Sequence, residues 1–156
     1  MIQPIILKSE YSYLPLIMRI YADGVFDLFH YGHARMLEQI KRAFPDCHLI
    51  VGVCTDEDVV AHKRYPILTH AERCESLRHC RWVDEVYPTA PWVITAAFLE
   101  EMGIDLVAHD PDAYPTPNTT DAYAIPKSLG KFWATQRTEG VSTTDLIERV
   151  KPVAIG

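Results

Sequence analysis

The feature that most limits what this chain can fold into is the texture of its apolar runs. Ile17-Met18-Arg19-Ile20-Tyr21-Ala22 and Leu49-Ile50-Val51-Gly52-Val53-Cys54 are short, largely apolar and without regular alternation. A strand with one wet face alternates polar and apolar side chains, whereas a strand covered on both faces need not. Similar short runs recur at Val83 to Tyr87, Ile104 to Ala108 and Phe132 to Gln136. Helical signals separate them. Met36, Leu37, Ile40 and Phe44 recur at helical spacing from Ala34, and Pro45 stops that helix. Thr69-His70-Ala71-Glu72 has capping-box form and opens a helix with Cys74 and Leu77 on one face. Thr95 caps a helix through Met102, closed by Gly103. Ser142-Thr143-Thr144-Asp145 repeats the capping pattern and leads into Leu146 to Val150.

Strands and helices thus alternate about five times. The economical architecture is α/β: a Rossmann-like parallel sheet of about five strands, with helices on both faces and right-handed crossovers. The 156 residues, 48% of them hydrophobic, suit one domain with an adequate core. Residues 1–17 read as an N-terminal arm, 18–150 as the domain and 151–156 as a tail. No internal repeat or low-complexity segment interrupts it.

Charge narrows the function. Fifteen Lys and Arg face 21 Asp and Glu, for a net charge of -6, so nonspecific nucleic-acid binding is not expected. An anionic ligand would need a locally basic pocket. The stretch Pro88 to Leu99 is free of charge but too short to span a bilayer. The N-terminus has no secretory-signal pattern, because Pro4, Lys8, Glu10 and Pro15 break it up. Cys47, Cys54, Cys74 and Cys80 form no C-x-x-C pair and read as reduced, mostly buried thiols. The expected setting is intracellular and cytoplasmic, with peripheral membrane or nuclear association in a longer form.

In parallel sheets ligands bind beyond the carboxyl ends of the strands, which directs attention to three segments. After Ala22 comes Asp23-Gly24-Val25-Phe26-Asp27-Leu28-Phe29-His30-Tyr31-Gly32-His33. Two histidines flank a glycine at a helix entrance, where free N–H groups suit phosphate. Packing or capping explains such a pair about as well. Zinc is not expected, since no third ligand sits at a usual spacing. After Ala108 comes the polar pair His109-Asp110. The third segment, Thr135-Gln136-Arg137-Thr138-Glu139-Gly140-Val141-Ser142-Thr143-Thr144-Asp145, combines a guanidinium, a glycine and hydroxyls at a helix start.

Taken together, Ala22-Asp23-Gly24-Val25-Phe26-Asp27-x-x-His30-x-Gly32-His33 and Arg137-Thr138-Glu139-Gly140-Val141-Ser142-Thr143 resemble the cytidylyltransferase family, and within it the branch acting on phosphocholine. The resemblance covers roughly residues 18–150. It implies the reaction of CTP with phosphocholine to give CDP-choline and pyrophosphate, with Mg²⁺ arriving on the triphosphate and no dedicated protein metal site. His30, His33, Lys63 and Arg137 would form the catalytic set. Ala22, Asp23, Gly24, Val25, Phe26, Arg73, His109, Asp110, Thr138, Gly140, Val141, Ser142 and Thr143 would join them around the nucleotide. The choline end would take Asp27 as counter-charge, Lys63, and the aromatic faces of Trp92, Tyr114 and Tyr123, since a quaternary ammonium is held by rings rather than N–H donors. The stretch Arg81 to Val86 would form a homodimer interface.

The chain departs from that family in places. Arg64 follows Lys63 where glycine is usual, and Pro111 follows His109-Asp110 where a second carboxylate is common. No long amphipathic membrane helix follows the domain through Gly156. Other readings stay open at this stage: phosphoethanolamine or glycerol 3-phosphate as acceptor, an adenylyltransferase, or a CTP-binding regulatory module without turnover.

Overall fold

The computed structural model describes residues 16–112 and 121–152. Five strands, β1 (Arg19–Gly24), β2 (His48–Cys54), β3 (Glu85–Ala90), β4 (Leu106–His109) and β5 (Phe132–Ala134), form one sheet in the order β3-β2-β1-β4-β5. Every pairing is parallel. The chain winds outward from β1 through β2 to β3, then crosses to the other side of β1 for β4 and β5. The strand order therefore reverses beside β1, and the crevice beyond the carboxyl ends of β1 and β4 is the expected ligand position.

Side chains leave the strands alternately to opposite faces. Ile20, Ala22, Leu49, Val51 and Val53 meet Leu37 and Ile40 of α1 (Tyr31–Ala43) and Cys74 and Leu77 of α3 (His70–Arg78). Tyr21, Ile50 and Val107 meet Leu99 of α4 (Ala96–Glu101) together with Ile94, Ile104 and Tyr123 on the other face. Helices thus cover both faces, and β1 and β2 carry the buried strand pattern that their composition predicts. Leu37 is fully buried, so truncation to alanine should cost about 2–5 kcal/mol.

The differences from the sequence reading have local causes. Strand β1 runs on through Asp23 and Gly24 because both pair with β2, opposite Gly52 and Val53. Strand β3 lies at the sheet edge, where Pro88 is tolerated, so it extends to Ala90; residues 83 and 84 lie before it, outside the strand. Helix α1 begins at Tyr31 rather than Ala34, because its N-cap is a histidine. Two short helices were not anticipated: α2 (Asp56–His62), capped by the Thr55 hydroxyl, and α5 (Ala124–Ser128). Helix α6 (Thr143–Val150) starts where Ser142 accepts from the Asp145 N–H. The arm and tail lie almost wholly outside the described residues. Among the described residues no helix is long and apolar enough to cross a membrane.

The four cysteines carry free thiols, with Cys47, Cys54 and Cys74 buried. In the stretch Arg81 to Val86, Asp84 accepts from the Leu49 N–H at 2.7 Å and pairs with Lys41, Glu85 meets His48 at 2.7 Å, and the Arg81 guanidinium lies 4.6 Å from the Trp82 ring centroid.

Candidate active site

A cavity of about 450 Å³ opens at the predicted crevice, within the ~300–1,000 Å³ usual for small-molecule sites. Its lining draws on every sequence-predicted segment: Asp23 to Asp27 after β1, His30, Gly32 and His33 at α1, Lys63 and Arg64 after α2, His109 and Asp110 after β4, and Arg137, Thr138, Val141, Ser142 and Thr143 before and within α6. The N-terminal ends of α1 and α6, with their partial positive charge, both contribute to this lining.

The histidine turn explains its own sequence. The Gly32 N–H donates to His30 Nδ1 at 3.1 Å, and the His30 N–H donates to His33 Nδ1 at 3.2 Å. Two imidazoles thus form the capping box of α1, in place of the usual hydroxyl and carboxylate. Each Nδ1 needs its lone pair for this, so each ring carries its proton on Nε2 while neutral. Capping and ligand binding therefore use different nitrogens, although His30 Nε2 already has the Thr143 hydroxyl as a partner at 3.3 Å. The two rings stack at 3.7 Å, an arrangement that disfavours charge on either. Burial pushes the His33 pKa down to about 3, with His30 adding to the effect, and burial also lowers His30. Burial thus favours the neutral, N–H-donating form of both rings.

Gly32 is required by contact. A Cβ there would lie 2.9 Å from His30 Cε1 and 2.9 Å from Val141 Cγ1. The turn before it bends through two left-handed non-glycine residues, Phe26 (φ 54°) and Leu28 (φ 51°). Such strain often accompanies functional sites, and here Asp27 lies between the two.

Three ties join the histidine turn to the rest of the cavity. The Thr143 hydroxyl donates to the Asp27 carbonyl at 3.0 Å and lies 3.3 Å from His30 Nε2, so its oxygen accepts from that N–H. Gln39 of α1 grips Gln136 twice, its Nε2 donating to the carbonyl and its Oε1 accepting from the N–H, each at 2.8 Å. That grip fixes the backbone immediately before Arg137. The Asp27 carboxylate accepts from the Ile67 N–H at 2.8 Å, the Leu68 N–H at 2.9 Å and Arg64 at 3.2 Å.

Lys63 is exposed as a residue, yet its ammonium is crowded at the cavity wall. Burial of that group is the main force lowering its pKa to about 8; Arg64 and Arg137 also lower it, while Cys54 and Asp23 raise it. Asp23 is itself buried, which raises its pKa, against His109 and the Tyr123 hydrogen bond, which lower it.

Several expected ligands support the cavity from behind its surface. Arg73 is fully buried and donates to the carbonyls of Val25 and Cys54 at 2.8 and 2.9 Å and to Asp56 at 2.6 Å. It ties the ends of β1 and β2 to α2 and does not line the cavity. Tyr123 donates its hydroxyl to Asp23 at 2.7 Å and stacks on His109 at 4.7 Å. Trp92 packs with Val25, Cys54, Val59 and Ala90 and stacks on His62 at 4.3 Å. Trp92 and Tyr123 thus pack behind the cavity, and neither Ala22, which is buried, nor Gly140, which is exposed, lines it. Tyr114 lies outside the described residues. Met36 and Val59 line the cavity without having been anticipated, while Thr135, Gln136 and Thr144 belong to the expected third segment and Asp112 follows Pro111. Met36 reads from the sequence only as a helix residue, and Val59 lies on the unanticipated α2.

The model of the cytidylyltransferase-like family matches residues 21–149. Choline-phosphate cytidylyltransferase 2 of Arabidopsis thaliana is 54% identical over 137 residues, covering 85% of this chain and 44% of that protein. The Saccharomyces cerevisiae choline-phosphate cytidylyltransferase is 55% identical over 133 residues, covering 85% of this chain and 31% of that protein. Ethanolamine-phosphate cytidylyltransferase of Mus musculus is 42% identical over 134 residues, covering 86% of this chain and 33% of that protein. The chain therefore spans less than half the length of these curated relatives. A solved lipopolysaccharide core biosynthesis protein from Thermoplasma volcanium superposes with a TM-score of 0.62 at 21% identity, over 79% of this chain and 99% of the other, a likeness of fold. With the motifs converged on one cavity and the family match running through both, the chain belongs to the cytidylyltransferase-like family.

Proposed function

We propose that the chain transfers the cytidylyl group of CTP to phosphocholine, giving CDP-choline and pyrophosphate. One observation carries this reading: His30, His33, Lys63, Arg137, Ser142 and Thr143, drawn from three separate segments, line a single cavity at the strand-order reversal. A phosphate oxygen of phosphocholine attacks the α-phosphorus in line. The bond from that phosphorus to the bridging oxygen breaks, and pyrophosphate leaves with the electron pair. The nucleophile is already ionised at neutral pH, so no general base is needed, and the protein's work is positioning and charge neutralisation.

The side chains suit that task. Lys63 and Arg137 supply full positive charge, His30 and His33 supply neutral N–H donors, and the start of α6 adds hydroxyl and backbone donors. Neutral donors avoid placing two imidazolium ions 3.7 Å apart. Mg²⁺ enters with the triphosphate in this proposal, supplying charge neutralisation there. The described residues offer no cluster of three His, Cys, Asp or Glu side chains able to hold an ion by themselves, and Asp23 and Asp110 are carboxylates lining the cavity that face the bound polyanion. A homodimer through Arg81 to Val86 and a reducing, cytoplasmic setting complete the proposal; the unbridged thiols are in keeping with the latter.

Choline is favoured over ethanolamine by the higher identity to the choline-phosphate enzymes, 54–55% against 42%. The test is pyrophosphate release with CTP, Mg²⁺ and phosphocholine, repeated with phosphoethanolamine, glycerol 3-phosphate and ATP. Turnover should be fastest with CTP and phosphocholine. CTP binding without pyrophosphate release from any acceptor would contradict the proposal and favour a regulatory nucleotide-binding module.

A further inference from the structure

Asp27 is 2% exposed and lies between two left-handed residues of the β1–α1 turn. Its carboxylate is already occupied. Oδ1 accepts from the Leu68 N–H, and Oδ2 accepts from the Ile67 N–H and from Arg64. All three donors belong to the segment that follows Lys63. No regular element holds residues 64–68, which run between the end of α2 and the start of α3. The same residue's carbonyl accepts from Thr143 at the start of α6. One aspartate therefore joins the histidine turn, the lysine segment and the last helix.

We propose that Asp27 is the positioning residue of the lysine segment: with Arg64 it latches residues 64–68 to the histidine turn and so holds Lys63 at the phosphate cavity. Arg64 is the adjustable half of this latch. It lines the cavity beside Lys63 and its side chain is 39% exposed, while its carboxylate partner is buried. The buried carboxylate keeps its backbone donors without Arg64 but loses its counter-charge, and a buried charge is costly unless it is paired and hydrogen-bonded. The inference rests on the assignment of the nucleotide triphosphate to this cavity and extends it. It also recasts the residue expected to face the choline ammonium as one that first serves the nucleotide side.

The latch acts through Lys63, and that gives the test. CTP affinity is measured by calorimetry for the wild-type chain, Asp27→Asn, Arg64→Ala, Arg64→Lys, Lys63→Ala and the double variant Lys63→Ala with Asp27→Asn. Asparagine turns one acceptor into a donor opposite a backbone N–H, so Asp27→Asn should weaken CTP binding at least tenfold. Arg64→Ala should weaken it about threefold, and Arg64→Lys should recover most of that. In the Lys63→Ala background, Asp27→Asn should cost less than twofold, because the group it positions is gone.

A second readout is the alkaline limb of kcat/KM. The charged and titratable groups around Lys63 are Arg64 on its own segment, Asp23 on β1, Cys54 on β2, His33 on α1 and Arg137 before α6. Removing Arg64 takes away a repelling charge, so the limb should move to higher pH in Arg64→Ala. Arg64 is partly exposed, so this variant also keeps the proposal testable if Asp27→Asn does not fold.

Full additivity in the Lys63→Ala background overturns the latch. So does an effect confined to the KM for phosphocholine with CTP affinity unchanged, which would make Asp27 a substrate counter-charge alone. A wild-type chain that binds CTP but releases no pyrophosphate sinks the proposed reaction while the binding data still decide the latch. A wild-type chain that does not bind CTP overturns both.

Discussion

The β1–α1 turn and the segment after Lys63 face the same cavity and are built on opposite plans. In the turn the functional groups are also the scaffold. His30 and His33 cap α1 through Nδ1 and keep Nε2 for other partners. In the lysine segment the backbone around the functional group is fixed from outside, the Ile67 and Leu68 N–H groups donating to the Asp27 carboxylate. The first plan couples stability to activity, while the second separates them. A change in the turn should damage both properties, and a change at Lys63 should damage activity alone.

The sharpest way to break this comparison is at His33. Loss of a preorganised phosphate donor should lower kcat/KM about 10²–10³-fold, and loss of the cap should cost about 1 kcal/mol of stability. His33→Ala should show both losses. His33→Asn, whose amide oxygen can still accept from the His30 N–H, should recover stability but not rate, as read by denaturant unfolding beside pyrophosphate release. Lys63→Ala should lower the rate to a similar degree with an unchanged unfolding midpoint. Equal stability losses in Lys63→Ala and His33→Ala would dissolve the distinction.

Gly32→Ala is next in size. The added Cβ must displace His30 or Val141 from 2.9 Å, so kcat/KM should fall roughly tenfold. The alanine's better helix propensity, worth ~1 kcal/mol, should offset part of the clash in stability.

The pH dependences run in opposite directions for the two regions. His33 has a pKa near 3 when folded against about 6.5 when unfolded. The unfolded chain binds this proton more readily, so stability should fall as pH drops below about 6.5, by up to ~1.4 kcal/mol per pH unit from this residue. His33→Asn should flatten that slope. Lys63 instead limits activity on the alkaline side, since its charge is half lost near pH 8; kcat/KM should decline as pH rises through that value.

The two plans also explain what could be read from the sequence. The turn carries its logic in adjacent residues, so His30-x-Gly32-His33 after a buried strand points to an anion site from sequence alone. Strands β1 and β2 and the capping residues Thr69, Thr95 and Ser142 were legible for the same local reason. Lys63 was reached only through the family resemblance, and what holds its segment was not legible, because the anchor lies about forty positions upstream (Asp27 to Ile67 and Leu68). The Tyr123 hydroxyl reaches Asp23 across a separation of 100 positions, and composition cannot show whether such a ring faces ligand or wall. Helix α2 had a readable start in Thr55-Asp56-Glu57-Asp58, a cap followed by acidic residues suited to the helix dipole. Its single buried residue, Val59, gave no apolar period to support it. Helix α5 is five residues long and contains Pro126, so it offered neither period nor propensity.

The central claim is that two neutral imidazoles, each capping through Nδ1, present Nε2–H to a bound polyanion beside Lys63 and Arg137. Long-range ¹H–¹⁵N NMR of the histidine side chains at pH 6, with and without CTP, tests it most directly. The account predicts that both rings give neutral Nε2–H signals in the free protein, that His33 stays neutral, and that CTP shifts the Nε2 resonances while the Nδ1 nitrogens keep their acceptor shifts. An imidazolium pattern for His33 at that pH, or Nε2 signals that ignore saturating CTP, would contradict it.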